Sequence, residues 1–472
     1  MTGLVGTVRI FNHHINVGYY WLALIDLLLF GGAIYAGAAL YFLSFSGGFS
    51  SQIDNLTLQA VIFAVVTTLA MFSMGLYEPK LREGLNGILL RTAGAFGLMT
   101  VAMTLIFYVM PDLHIWRGNF ALAAAIAFVT ALINRLLWTR FIDMEQFQRR
   151  ILVLGTGTTA ATISDKMRRK ADRRGFRIVG YVRQVGEETV IEREPTLALD
   201  CPLSEYVRRN DIDEVVVALE DRRDNMPQQD LLRCRCMGVQ VVDIVDFFEK
   251  EAGKVLIRQA HVSWFTFSNG FQRGDATNIA KRLFDVTMSF LLLMISWPFM
   301  LFTVLAIWIE DGVDAPILYK QRRVGLDGRI FEVIKFRSMS INAEGDGKAR
   351  WATANDARVT TVGKFIRKTR IDELPQILNV MAGEMAFVGP RPERPEFVRE
   401  LNETVPFYEK RHCVKPGITG WAQMNYPYGA SLDDTFNKLE FDLYYVKHQS
   451  LFLDFLVLLQ TAEVIIFGKG AR

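Results

Sequence analysis

The 472-residue sequence has little cysteine and little histidine, and this scarcity narrows the chemistry open to it. Four cysteines and six histidines are present. The histidines show no metal-ligand spacing, and Cys234 and Cys236 lack the second ligand pair that a structural zinc site needs. All four cysteines follow residue 200, in a part of the chain expected to be cytoplasmic, so reduced thiols are expected. The sequence therefore argues against zinc.

An excess of one charge is absent as well. The chain has 53 lysines and arginines against 50 aspartates and glutamates, which gives a net charge of +3. The basic residues form local clusters and no long stripe. Because nucleic-acid binding relies on an extended basic surface, no nucleic-acid partner is expected.

Long hydrophobic runs, by contrast, fill the first third of the chain. Hydrophobic residues make up 51% of the sequence. A run of about 20 residues, at a rise of ~1.5 Å per residue, crosses a hydrocarbon core of ~30 Å. Four runs of this kind predict four transmembrane helices, at residues 20–42, 56–76, 88–110 and 120–137.

The positions of lysine and arginine predict how these helices are oriented. Residues 44–55, between the first two runs, contain neither residue, whereas Lys80 and Arg82 follow the second run and Arg140 and Arg149 follow the fourth. Basic residues favour the cytoplasmic side of a membrane. Both ends of the bundle are therefore predicted to face the cytoplasm, and the chain from residue 141 onward is predicted to lie there.

Residues 141–255 predict a Rossmann-like α/β domain. Strand patterns at 150–154, 177–182, 214–218 and 239–245 alternate with helical patterns at 203–210 and 228–237. Gly155, Gly157 and Ala160 fit a dinucleotide-binding turn. No acid closes the second strand, where the segment Tyr181-Val-Arg-Gln184 stands. A fold kept for packing, dimer contacts or an unknown small ligand is therefore favoured over NAD binding.

A fifth hydrophobic run occupies residues 283–309. Basic residues flank it on both sides, with Lys281 before it and Lys320 after it, so both flanks favour the cytoplasmic side. Ser296 and Pro298 interrupt the run, and a proline removes a helical hydrogen bond and bends the axis. We therefore expect a re-entrant membrane helix that breaks at these residues; a kinked fifth crossing is the alternative.

Two adjacent carboxylates, Asp372 and Glu373, precede a helical pattern at residues 374–382, which Gly383 can end. The N-terminus of a helix favours a bound phosphate and keeps a carboxylate ionised. One carboxylate can attack a phosphorus atom while the other holds Mg²⁺ on a diphosphate. The alternative is a helix cap with a first-turn acid and no catalytic role.

Three groups of basic residues favour the catalytic interpretation. Lys335 and Arg337 alternate in a strand-like run at residues 331–337, which places them on one face. Arg391 lies between two prolines, whose fixed φ angles leave it little freedom and suit a bidentate phosphate contact. Arg367 adds positive charge beside the acids. These residues predict a site that holds phosphates around the Asp–Glu pair.

Four motifs, in this order, resemble those of the bacterial sugar transferases, the polyprenyl-phosphate phosphoglycosyl transferases of the monotopic type. The resemblance covers about residues 278–469. With its four predicted membrane helices and its Rossmann-like domain, the whole chain is similar to the long form of that family. The motifs are Lys335-Phe-Arg-Ser-Met339, Arg367-Lys-Thr-Arg-Ile-Asp-Glu-Leu-Pro375, Phe387-Val-Gly-Pro-Arg-Pro392 and Lys415-Pro-Gly-Ile-Thr-Gly-Trp-Ala-Gln423.

The resemblance implies a two-step transfer of a sugar phosphate from a UDP-sugar to undecaprenyl phosphate, which begins exopolysaccharide or O-antigen assembly. Asp372 matches the family's nucleophile and Glu373 its Mg²⁺-holding acid. Lys335, Arg367 and Arg391 match phosphate-recognition positions, and Gln423 is expected near the nucleotide. The resemblance also implies a bacterial inner-membrane protein, a cytoplasmic catalytic domain and a homodimer.

The predicted fold is thus a four-helix membrane bundle, a Rossmann-like domain and an α/β catalytic domain anchored by a re-entrant helix. The predicted boundaries are 1–140, 141–255, a linker at 256–277, and 278–472 with the re-entrant helix at 281–309. Two other functions stay open. A membrane-anchored nucleotide-sugar modifying enzyme is disfavoured because no tyrosine has a lysine four residues later. The other is a non-catalytic scaffold of polysaccharide assembly.

The last part of the chain departs from the family pattern at one point. After Gln423 many members continue with Asn-Gly-Arg, whereas this chain reads Met424-Asn-Tyr-Pro-Tyr-Gly429. The segment 439–467 is amphipathic and is expected to pack onto the bilayer surface. Asp442 and Asp454 within it are expected to be structural.

Overall fold

The computed structural model describes most of the chain. The described residues are 7–10, 13–45, 56–77, 85–142, 148–167, 173, 175–184, 186–191, 194–222, 226–268, 270–271, 274–340, 358–426 and 431–467. The chain forms two compact units, and the boundary between them lies at Ala252 and Gly253.

The first unit begins with two short paired strands and four apolar helices. The strands are β1 (Thr7–Ile10) and β2 (His13–Asn16). The helices α1 to α4 coincide with the four predicted runs, and each is long and apolar enough to cross a membrane. They pack in sequence, and α4 also returns against α1. Their bounds are α1 Val17–Phe45, α2 Leu56–Ser73, α3 Leu85–Val109 and α4 Arg117–Ile142.

One buried acid connects several parts of this bundle. The carboxylate of Asp26 on α1 pairs with the guanidinium of Arg135 on α4 at 3.0 Å. It also accepts hydrogen bonds from the Tyr77 hydroxyl at 2.8 Å and the Asn134 amide at 2.7 Å. Since a charge in an apolar bundle is costly without partners, this network explains the single acid in the first hydrophobic run.

The rest of the first unit is a parallel α/β domain. Its five strands lie in the order β5-β4-β3-β6-β7, and every neighbouring pair is parallel. The elements are β3 Arg149–Leu154, α5 Thr158–Lys166, β4 Phe176–Val182, β5 Thr196–Leu197, α6 Leu203–Arg209, β6 Glu214–Val217, α7 Gln228–Cys236, β7 Gln240–Asp243 and α8 Ile244–Ala252.

The predicted strands and helices of this domain are present, with one difference at its end. The strand predicted at 239–245 stops at Asp243, because α8 begins at Ile244. The carboxylate of Asp243 accepts a hydrogen bond of 2.8 Å from the Val245 amide. A side-chain carboxylate that binds an early helical N–H starts a helix and so ends the strand.

The second unit contains a long apolar helix and a small α/β scaffold. Strands β8 and β9 form an antiparallel pair, and β10 pairs with β11 in parallel. The elements are α9 Val262–Phe267, α10 Asp275–Asp311, β8 Leu318–Val324, β9 Ile330–Phe336, α11 Thr361–Lys368, α12 Gln376–Ala382, β10 Ala386–Val388, α13 Pro395–Thr404, β11 Gly417–Thr419, α14 Trp421–Asn425, α15 Leu432–His448 and α16 Leu451–Phe467.

Helix α10 is the fifth helix long and apolar enough to cross a membrane. Ser296 and Pro298 both lie inside this single helix of 37 residues, so the helical backbone continues past them, and the predicted bend of the axis at these residues stays a prediction. A proline inside a helix removes one backbone hydrogen bond and favours a bend of the axis. Both ends of α10 bind the scaffold: Arg282 donates to the carbonyl of Val380, and the Glu310 carboxylate accepts from the amide of Thr361.

Candidate active site

The two predicted carboxylates lie on a tight turn between two helices. Helix α11 ends at Lys368, and Asp372 and Glu373 belong to a 3-10 turn that precedes α12. The chain enters this turn through Arg370, which has a φ of 58°, in the left-handed region. As predicted, Gly383 ends the following helix, with a φ of 87°.

The Glu373 carboxylate is buried and surrounded by cations. Its Oε1 accepts a hydrogen bond of 2.7 Å from Arg391 Nη2 and lies 3.3 Å from Lys335 Nζ, while Arg370 lies 3.8 Å from Oε2. The residue is 9% exposed. Burial acts to raise the pKa of Glu373, but Arg391 and Lys335 outweigh it and hold that pKa well below its usual range. Glu373 is therefore an anion at neutral pH.

Asp372 has the opposite electrostatic environment. Burial and the neighbouring charge of Glu373 raise the pKa of Asp372 to about 6, although Lys335, Arg391 and Arg367 act against the rise. Carboxylates whose pKa values are separated by their surroundings serve different roles. A carboxylate with a pKa near 6 is largely ionised at neutral pH but is more basic than an ordinary aspartate.

Lys335 reaches this site from strand β9. The side chain of Asn379 on α12 fixes the strand, since its Oδ1 accepts from the Ile334 amide at 3.0 Å and its Nδ2 donates to the Glu332 carbonyl at 2.7 Å. Burial lowers the pKa of Lys335, while Glu373 acts in the opposite direction. The lysine is thus a desolvated cation beside the two acids, as the motif predicts.

Arg337 is not brought into this cluster. Its Nη2 pairs with the Asp311 carboxylate at 2.8 Å, and its Nε donates to the Pro316 carbonyl at 2.7 Å. Strand β9 ends at Phe336, so the alternation that places Lys335 does not extend to Arg337. The structure gives Arg337 a role at the end of α10, and its predicted phosphate contact remains a prediction.

Arg391 and Gln423 follow the carboxyl ends of the neighbouring parallel strands β10 and β11. A close backbone contact brings these ends together, because a side chain at Gly420 would collide with the carbonyl of Gly389. The Oε1 atom of Gln423 is buried and has no hydrogen-bond partner among the described residues. A buried acceptor without a partner is suited to a ligand that donates a hydrogen bond. The departure from the family pattern begins at Met424, and its residues 427–429 lie outside the described residues.

Arg411 also supports this site, although no pattern in the sequence indicated it. It is buried, pairs with Asp442 at 2.8 Å, and donates a hydrogen bond of 2.9 Å to the carbonyl of Arg391. Asp454 is buried too and pairs with Lys281 at 2.9 Å. These contacts agree with the expectation that Asp442 and Asp454 are structural.

The donor set fits a magnesium ion held partly by its substrate. Among the described residues, no group of three or more histidine, cysteine or acidic side chains surrounds one point. Asp372 and Glu373 supply two carboxylates. Mg²⁺ is usually bound by one or two carboxylates together with substrate phosphates and water. The residues present therefore fit a metal that arrives with a diphosphate.

The crevice of the α/β domain in the first unit has a different character. Its cavity of about 220 Å³ borders the turn after β3. The Glu220 carboxylate accepts hydrogen bonds of 2.6 Å from the amide and hydroxyl of Thr158, and Glu187 accepts one of 2.9 Å from the Thr156 amide. These are the donors that a dinucleotide phosphate would use. The chain's own acids bind them, which supports the interpretation that the domain does not serve NAD.

Comparison with known proteins matches residues 276–468 to the model of the family described as bacterial sugar transferase. A UDP-N-acetylgalactosamine-undecaprenyl-phosphate N-acetylgalactosaminephosphotransferase of Aeromonas hydrophila is 41% identical over 51% of this chain and 56% of its own length. A UDP-glucose:undecaprenyl-phosphate glucose-1-phosphate transferase of Xanthomonas campestris pv. campestris is 32% identical over 75% of this chain and 73% of its own. An undecaprenyl-phosphate glucose phosphotransferase of Komagataeibacter xylinus is 31% identical over 69% of this chain and 61% of its own.

The buried His412, next to Arg411, predicts a loss of stability in mild acid. Burial and the charge of Arg411 lower the pKa of His412 from 6.5 to about 4. Between these values the unfolded chain binds the proton and the folded chain does not, so stability falls as the pH drops. The cost between pH 7 and pH 5 is about 2 kcal/mol. Thermal unfolding of the purified protein at several pH values measures it. His412→Gln should flatten this dependence, and an unchanged slope would refute the assignment.

Proposed function

We propose that this chain, which belongs to the bacterial sugar transferase family, transfers a sugar 1-phosphate from a UDP-sugar to undecaprenyl phosphate. This transfer starts the assembly of a polysaccharide repeat unit. The chain spans between about half and three quarters of the length of the relatives described above. The observation that carries the proposal is the buried anion Glu373 between Arg391 and Lys335, next to an aspartate of raised pKa.

In the first step, Asp372 is the nucleophile. An oxygen of its carboxylate attacks the β-phosphorus of the UDP-sugar, and the bond from that phosphorus to the bridging oxygen breaks. UMP leaves with the bonding electrons, and an aspartyl phospho-sugar remains. Arg391, Lys335 and Arg367 supply positive charge where the phosphoryl oxygens gain negative charge. The raised pKa of Asp372 favours the attack.

In the second step, a phosphate oxygen of undecaprenyl phosphate attacks the same phosphorus. The bond to Asp372 breaks, the carboxylate is regenerated, and the product is undecaprenyl diphospho-sugar. Because the same phosphoryl group reacts twice, one set of cations serves both steps. A covalent intermediate replaces one difficult transfer by two easier ones.

Glu373, with Asp372 beside it, is the residue that would hold Mg²⁺ on the diphosphate. When bound, the metal neutralises charge on the phosphate oxygens and helps UMP to leave. The buried Gln423 would accept a hydrogen bond from the nucleotide. The family's implied homodimer stays a prediction.

The proposed topology places this site on the cytoplasmic face of the inner membrane of a bacterium. Helices α1 to α4 cross the membrane, and α10 enters and leaves on one side. Two features support a re-entrant α10: both of its ends bind the same scaffold, and its middle exposes large apolar side chains such as Ile295, Phe299 and Phe302. UDP-sugar is then reached from the cytoplasm and the lipid from the inner leaflet.

Replacement of Asp372 should abolish the reaction. Asp372→Asn and Asp372→Ala should lower the release of UMP from UDP-sugars, in the presence of undecaprenyl phosphate, by about a thousandfold or more, because the nucleophile is gone. A screen of UDP-sugars on the wild type identifies the donor. The exposed acid Asp433 provides the matched control, Asp433→Asn, which should retain full activity. Turnover by both Asp372 variants would remove that residue from its proposed role, and an inactive wild type would favour a scaffold.

Removal of metal should stop the same reaction. EDTA should suppress UMP release and added Mg²⁺ should restore it, because the carboxylates need a cation to bring them against a diphosphate. Glu373→Gln should raise the Mg²⁺ concentration needed for half-maximal rate by about tenfold or more. A rate that EDTA leaves unchanged would contradict the metal proposal, but it would not bear on the proposal that Asp372 is the nucleophile.

Both ends of α10 should be labelled from the same side of the membrane. Single cysteines at Thr277 and Val313, in a chain whose own four cysteines are serine, should react with an impermeant maleimide only after the cells are opened. A cysteine at Ser51, in the predicted outer connection, should react in intact cells. Reaction of the Val313 cysteine in intact cells would show that α10 crosses the membrane.

A further inference from the structure

The segment that carries Arg391 is held by its backbone at four consecutive positions. Its carbonyl oxygens accept hydrogen bonds of 2.9–3.1 Å from two backbone amides and two guanidinium groups. The pairs are Gly417 N to Pro390, Arg411 Nη2 to Arg391, Arg323 Nη1 to Pro392 and Val324 N to Glu393.

Arg411 is the more deeply buried of the two arginines among these donors. It is 6% exposed, and its Nη2 bridges the Asp442 carboxylate at 2.8 Å and the Arg391 carbonyl at 2.9 Å. Its Nη1 donates to the Tyr408 hydroxyl at 2.7 Å. One guanidinium therefore fixes α15, the turn at residues 408–413 and the Arg391 backbone to one another.

We propose that Arg411 is a positioning residue, which holds the backbone of Arg391 so that the Arg391 guanidinium meets Glu373 and the substrate phosphates. This inference rests on the proposed function. The side chain of Arg391 carries the charge that meets the phosphates. Arg411 orients Arg391 by binding its carbonyl oxygen, and Arg411 contacts neither Asp372 nor Glu373. The two prolines beside Arg391 restrict φ at positions 390 and 392, and Arg411 holds the carbonyl between them.

The geometry of a guanidinium distinguishes this role from that of a simple buried charge. Lysine at position 411 would still neutralise Asp442. Its single ammonium, however, cannot reproduce the planar array of donors that connects Asp442, Tyr408 and the Arg391 carbonyl. Arg411→Lys therefore keeps the charge balance and removes the positioning. A displacement of about 1 Å at a phosphate-binding group costs a transferase about 100-fold in rate.

A double-mutant cycle with Arg391 tests the proposal. Arg411→Lys should lower kcat/KM for UMP release about 10- to 100-fold in the wild-type background, with most of the loss in kcat. In an Arg391→Ala background it should have almost no further effect, because no side chain remains to be positioned. Equal losses in the two backgrounds, or full activity of Arg411→Lys, would overturn the proposal.

The matched control is Arg258→Lys, which alters an exposed arginine that pairs with Asp433 in the same unit. This variant should have wild-type activity. If Arg411→Lys lowers the unfolding temperature strongly, the cycle uses the double variant Arg411→Gln with Asp442→Asn instead. This double variant leaves no buried charge without a partner. The same non-additivity with Arg391→Ala is expected, and additive losses in this pair count against the proposal.

Hydrogen exchange measured by mass spectrometry gives a readout that needs no activity. In Arg411→Lys, peptides that cover the Val324 and Gly417 amides, which donate to this segment, should exchange faster than in the wild type, whereas Arg258→Lys should leave them unchanged. Unaltered exchange in Arg411→Lys would overturn the positioning role. If the wild type is inactive but the exchange changes as predicted, the proposed function is refuted, while the role of Arg411 in holding the Arg391 backbone stands.

Discussion

The ion pairing of Glu373 with Arg391 and Lys335 is the constraint on which the rest of the site depends. A carboxylate buried to this extent would take up a proton if it had no partners, because burial penalises its charged form. The two cations keep it charged. That fixed negative charge then acts on its neighbour in the chain. The pKa of Asp372 rises because Asp372 is itself desolvated and because the negative charge of Glu373 lies beside it, and the cations only partly offset this rise.

Much of the second unit brings these cations together from distant parts of the chain. Lys335 comes from β9, which Asn379 fixes to α12. Arg391 follows β10, whose parallel pairing with β11 sets where the chain leaves the strand. Long-range contacts of this kind cost chain entropy, and buried hydrogen bonds and close glycine contacts offset that cost. The same contacts limit how far the cations can move when a substrate enters.

The motif-bearing parts of the site could be predicted, and the tertiary contacts could not. Asp372, Glu373, Lys335 and Arg391 could be singled out from the sequence because short-range rules apply to them: a tight turn, a strand alternation and a pair of prolines. Arg337 fails the alternation rule because β9 ends one residue before it. Arg411 escaped notice because its importance depends on a partner in α15, which no local pattern indicates. The predicted apolar helices and parallel strands are present in the structure because hydrophobic periodicity is itself a local signal.

A covalent intermediate also suits a site whose proposed donor is dissolved in water and whose proposed acceptor lies in the membrane. In the proposed reaction a water-soluble donor and a membrane-bound acceptor must both reach one phosphorus atom. Simultaneous binding would require room for a nucleotide and a polyprenyl phosphate around the same three cations. Storage of the phospho-sugar on Asp372 separates the two events, so UMP can leave before the lipid arrives. The cations need not be rearranged between steps, because negative charge develops each time on the same phosphoryl oxygens. A rigid Glu373 cluster is therefore an advantage, and flexibility is needed only where substrates enter.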